Sequence, residues 1–144
     1  MIFNVFTINK VAKVINMKTT RLKKILTHLF GIFMVFGGVA HFISPEVYYP
    51  FFPEDFIKDE IIYASGLLEI IIGCGVFVPS LKIYAVKAIL ILMIIFLPLH
   101  IIDIFKENPA IGSRILAYIR LPLQFVLIYW AFFIQENKRL NFKR

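Results

Sequence analysis

IIYASGLLEIIIGCGVFVP, residues 61–79, is a nineteen-residue stretch of nearly unbroken apolar sequence with one carboxylate, Glu69, near its middle. At 1.5 Å per helical residue it can cross a hydrocarbon core of about 30 Å, so it is expected to span a membrane with Glu69 close to mid-depth. An acid at the centre of a lone membrane helix costs roughly 2.5–3.5 kcal/mol. Glu69 must therefore be neutral, paired, or turned toward a polar cavity inside a bundle. The rest of the chain is read for what it brings to that carboxylate.

The surrounding composition agrees with a membrane protein. Of 144 residues, 60% are hydrophobic and the mean hydropathy is +0.82, too oily for a soluble domain of this size. The formal charge of +7 could suggest nucleic acid. Its basic residues, however, lie at the two ends and in one short turn, with no basic stripe interleaved with aromatics, so no nucleic-acid partner is expected. Cys74 is the single cysteine, which excludes an internal disulfide, a CxxC redox pair and a cysteine-based zinc or iron–sulfur site. Between Gly73 and Gly75 it reads as a small packing residue.

Residues 1–24 hold Lys10, Lys13, Lys18, Arg21, Lys23 and Lys24 and no acid, the signature of a basic cytoplasmic arm. Met17 opens MKTTRLKK, which reads as a translation start, and the apolar spacing of Ile2, Val5, Phe6, Ile8, Val11, Val14 and Ile15 permits an amphipathic helix on the membrane surface. The first span is expected at 25–43, where Gly31, Gly37 and Gly38 would let another helix approach closely and His41 shares their face. Residues 44–60 contain Pro45, Pro50 and Pro53 and cannot cross as a helix. Their acids and their aromatics suit an interfacial loop folded over the outer mouth of a bundle. Further spans are expected at 83–104, kinked at Pro98, and at 115–134, started by Asn108-Pro109. Residues 136–144 form a basic tail. Asp103 and Asn108 read as solvated.

With both termini cytoplasmic, twelve Lys and Arg fall on the inner side and three on the outer, leaving Arg120 in the membrane. That distribution fits an all-α, four-transmembrane-helix bundle comprising residues 25–135. On this topology Glu69 lies about 12 Å and Arg120 about 8 Å below the outer surface, with His41 and His100 nearer to it. Ser65, Gly66, Glu69 and Gly73 share one helical face, and Arg120 and Gln124 share another. Arg120 is the natural partner for the carboxylate, because a guanidinium keeps its charge and offers a planar fork. Gln124 could bond the same carboxylate or a bound molecule. Against these stand plainer readings: a Glu–Arg pair that only fixes helix register, or an Arg120 that reaches out to the headgroups. His41 and His100 lack any recognisable haem motif.

Three motifs in order carry a resemblance. Gly37-Gly38-Val39-Ala40-His41-Phe42 with Pro45, Ser65-Gly66-Leu67-Leu68-Glu69 with Gly73, and Arg120-Leu121-Pro122-Leu123-Gln124 with Trp130 are similar to the DoxX family of small four-helix membrane proteins. The resemblance runs from about residue 29 to 130 and assigns His41, Glu69, Arg120 and Gln124 to the family pattern, whereas His100 rests on depth alone. It implies a bacterial inner-membrane protein of unassigned activity, in some relatives a membrane subunit of a thiosulfate–quinone oxidoreductase or of a redox complex. With no flavin motif and no cluster ligands, the redox role open to this chain is to bind a quinone or to anchor a soluble or membrane redox partner. Two other readings stay open at this point: an assembly protein whose buried Glu–Arg pair only holds the bundle, and a small transporter that would have to work as a homo-oligomer.

Overall fold

The computed structural model describes residues 5–52, 57–110 and 112–135, with side chains from residue 10 onward. The basic tail 136–144, the loop residues 53–56 and the apolar positions Ile2, Val5, Phe6 and Ile8 of the arm lie outside these described positions or side chains. Among the described residues the chain is all-helical: α1 (Val5–Ile43), a 3-10 helix (Pro45–Phe51), α2 (Lys58–Gly75), α3 (Lys82–Phe105) and α4 (Arg114–Phe133).

The basic arm and the first span are one element. α1 has 39 residues, about 58 Å of helix, because nothing before Gly31 breaks it. The boundary expected at residues 24–25 falls in mid-helix. Thr19 and Thr20 donate to the carbonyls of Ile15 and Asn16, four residues back, and so keep to the helical ladder.

Three helices are long and apolar enough to cross a membrane: α1 over Lys10–Ile43, α3 and α4. α2, expected as a fourth span over 61–79, is displaced toward the charged end. It starts at Lys58, where Asp59 and Glu60 in its first turn suit a helix N-terminus, and it stops at Gly75. The helix thus takes in three charges beside Glu69 and loses the apolar residues 76–78 to the following turn, so its composition falls short of a spanning helix. Likewise α4 begins at Arg114 after Ser113, not at Asn108-Pro109. Pro109 instead opens a turn closed by the amide of Gly112, whose φ of +79° is a conformation glycine adopts without strain.

α1 and α2 form one antiparallel pair, α3 and α4 another, joined mainly through α2 and α3. The α1–α2 seam is a backbone contact. A Cβ on Gly38 would lie 2.5 Å from the Gly66 carbonyl oxygen, and one on Gly73 would lie 2.7 Å from that of Gly31. Phe30, Met34, Ile72, Val86, Ile89 and Ile134 fill the core toward the end of the bundle remote from the 3-10 helix. At that remote end Lys23 donates to the Gln135 carbonyl at 3.2 Å, and Gln135 donates to the Val86 carbonyl at 3.0 Å. Large apolar side chains such as Phe36, Ile71, Ile94, Phe105, Ile119 and Phe125 face outward, an apolar girdle far beyond what a water-soluble monomer exposes. Cys74 is exposed with them instead of packing.

Candidate ligand pocket

Buried polar residues concentrate near the 3-10 helix. His41 (7% exposed), Glu69 (6%), His100, Asp103 and Gln124 are all removed from solvent there. The partner of Glu69 is His41, with Nε2 and Oε1 3.3 Å apart. Two glycines make room for the pair. A Cβ on Gly37 would lie 2.8 Å from Glu69 Oε2, and one on Gly66 would lie 2.6 Å from the His41 Cβ. The imidazole is sandwiched further by Tyr48 of the 3-10 helix, stacked at 3.8 Å between centroids and 16° between planes.

The expected Glu69–Arg120 pair is therefore not formed. Among the described residues Arg120 has no ion pair, and its guanidinium lies over the Phe51 ring, 4.9 Å from the centroid. The reason is adjacency: α2 is sewn to α1 along the glycine seam, which turns the Glu69 face toward His41, while Arg120 approaches from α4. Gln124 is also engaged elsewhere than expected. Its Nε2 donates to the Met93 carbonyl at 2.6 Å, tying α4 to α3. Asp103, expected in solvent, is 1% exposed and accepts the Ala110 amide at 2.6 Å, so it pins the α3–α4 connection.

All five candidate residues nevertheless line two cavities that share a wall. The first, about 210 Å³, is bordered by His41, Phe51, Phe52, Ile62 and Leu99. The second, about 230 Å³, is bordered by Gly37, Glu69, Met93, Gln124 and Leu127. Tyr48, Phe96, His100 and Arg120 belong to both and form the waist between them. The 3-10 helix closes the first chamber. Lys106 donates to the Pro50 carbonyl and also sits 5.8 Å from the Phe51 centroid, holding the helix against the start of the α3–α4 connection.

Tyr48 and Phe51 were not singled out from the sequence beyond their place among interfacial aromatics. Burial, followed by the nearby Glu69 carboxylate, holds the Tyr48 phenol above its ordinary 10.0, with Arg120 opposing. His100 has Arg120, Asp103 and Gln124 as its polar neighbours, and its Nδ1 has no hydrogen-bond partner among the described residues. The site thus offers hydrogen-bond donors and a carboxylate–histidine pair around a small, largely apolar space. That arrangement suits an organic molecule with polar oxygens more than a bare ion.

A family model described as Domain of unknown function (DUF8561) matches residues 30–135, the helical bundle from the Phe30 core position through Gln135. No curated protein and no solved structure matches the chain.

Proposed function

The chain belongs to that family of unknown function, and we propose that it is an integral protein of the bacterial inner membrane whose pocket binds a small apolar molecule with acceptor oxygens, a quinone foremost. In this reading it is a membrane subunit or anchor within a redox complex, in keeping with its resemblance to the DoxX family. The bundle has four spans with both termini in the cytoplasm, and the pocket lies in its outer half. One observation carries the reading: residues of four helices and the 3-10 helix, His41, Glu69, His100, Arg120 and Tyr48, surround contiguous apolar chambers. Each chamber is smaller than the roughly 300–1,000 Å³ of drug-sized sites, so a one- or two-ring compound suits it, with any apolar tail left to lipid. Arg120 donates to a carbonyl oxygen, and the His41–Glu69 pair lines the same chambers.

Purified protein titrated with a short-chain quinone should gain several °C in unfolding midpoint at saturating ligand, and Arg120→Ala should lose most of that gain. Mass spectrometry of small molecules that co-purify should find a quinone in wild type. No thermal response to any quinone, with none co-purifying, would set this function aside.

An assembly role remains as a second reading, favoured by the position of the His41–Glu69 pair at the tightest helix seam. Under it, quinones leave the unfolding midpoint unmoved, while the pair variants lower the level of a partner protein in cells.

A further inference from the structure

Arg120 is the feature of the pocket that the protein itself leaves unanswered. Its guanidinium carries a full charge and five N–H donors. It lines both chambers, yet no carboxylate lies within 4.0 Å of it among the described residues. Two carboxylates stand on neighbouring helices, and neither pairs with Arg120. From α2, Glu69 holds His41 of α1. From α3, Asp103 accepts the Ala110 amide on Oδ1, keeps a buried Oδ2 with no hydrogen-bond partner among the described residues, and bears on Arg120 only at longer range. The other polar groups around the waist are Tyr48 of the 3-10 helix, His41 of α1, His100 of α3 and Gln124 of α4, none of which supplies a negative charge at neutral pH. The Phe51 ring covers one face of the guanidinium.

Resting on the pocket reading above, we infer that the site selects ligands presenting an ionised oxygen, an enolate or carboxylate on a flat apolar body, over their neutral counterparts. The ionised oxygen sits at the waist and takes hydrogen bonds from Arg120 to which the attraction of opposite full charges is added, an attraction a neutral carbonyl does not supply. The apolar body lies in the chamber lined by Phe51, Phe52, Ile62, Phe96 and Leu99. Arg120 is in this sense the specificity-determining residue of the pocket: the chambers accept any small ring system, and the guanidinium chooses among them by charge.

The test compares 2,3-dimethyl-1,4-naphthoquinone with 2-hydroxy-3-methyl-1,4-naphthoquinone, which replaces one methyl by an acidic enol, by calorimetric titration of the purified full chain at neutral pH. The ionised compound should bind about tenfold more tightly or better. Arg120→Gln should erase the preference and Arg120→Lys should keep part of it. Acidifying the wild-type titration until the enol is neutral should also erase the preference, a measurement that needs no variant to fold. Binding of both compounds with equal affinity in wild type overturns the charge selection and leaves the pocket standing. Binding of neither removes the pocket reading and the inference with it.

Discussion

Glu69 owes its partner to geometry that a single position does not announce. At 6% exposure an ionised carboxylate needs a hydrogen-bonded cation or donor, and His41, 3.3 Å away, meets that need. A double-mutant cycle tests the pairing. Glu69→Ala and His41→Ala should each cost about 1–3 kcal/mol in detergent-solubilised protein, and the double variant should cost less than their sum by about 1 kcal/mol or more. Glu69→Ala combined with Arg120→Ala should come much closer to additive; a larger coupling there than with His41 would restore the guanidinium as the partner. At this scale the sequence disclosed the residues but not the bonds between them. Glu69, His41, His100, Arg120 and Gln124 all announce themselves as polar groups in apolar runs. Which of them touch depends on helix rotation, to which depth along the membrane normal is blind. Asp103 shows the converse: close to a helix end it reads as solvated, and only the fold of the α3–α4 connection back onto it accounts for its burial.

The clue to the correct pairing was present at the level of the helix face. Gly37, Gly38 and His41 lie on one face of α1; Gly66, Glu69 and Gly73 lie on one face of α2, and two small-residue faces are natural mates. Joining those faces places His41 beside Glu69 without reference to depth. The same seam yields a prediction. Gly66→Ala puts a methyl 2.6 Å from the His41 Cβ and 2.7 Å from the Gly38 carbonyl oxygen, both on backbone or near-backbone atoms that cannot swing away. α1 and α2 should be forced apart, at about 1–3 kcal/mol from overpacking, and thermal unfolding should register the loss. Gly75→Ala is the control. Its added methyl would meet the Ala85 Cβ at 3.2 Å, which a shift of a few tenths of an ångström relieves, so the midpoint should move far less. Equal losses for the two variants would mean that the seam is not where the bundle is tight. The bounds of α2 were harder to read, because the apolar run 61–79 marks hydrocarbon affinity, whereas the helix follows its N-terminal acids and ends at a glycine.

For the whole molecule the number of crossings turns on α2, which fails on composition while α1, α3 and α4 qualify. Packing bears on this more directly than hydropathy. Gly73 meets Gly31 in the second half of α1, and Phe77, just past the end of α2, stacks on His28 at 5.4 Å between centroids. α2 therefore runs beside α1 through the depth of the apolar girdle and ends level with the first turns of α1's apolar run. If α1 crosses, α2 returns with it, its charged first turn left in the headgroup layer and its 18 residues covering about 27 Å. Cysteine labelling separates the two topologies. In a Cys74→Ser background, single cysteines at the exposed positions Lys18, Glu46 and Ser80 are probed in intact and permeabilised cells with an impermeant maleimide. A returning α2 predicts that Lys18→Cys and Ser80→Cys react only after permeabilisation and that Glu46→Cys reacts in intact cells. If Ser80→Cys reacts alongside Glu46→Cys in intact cells, α2 has not crossed. The pocket would then lose the bilayer depth that makes a polar cluster there worth explaining, and with it the argument for an apolar, membrane-borne ligand.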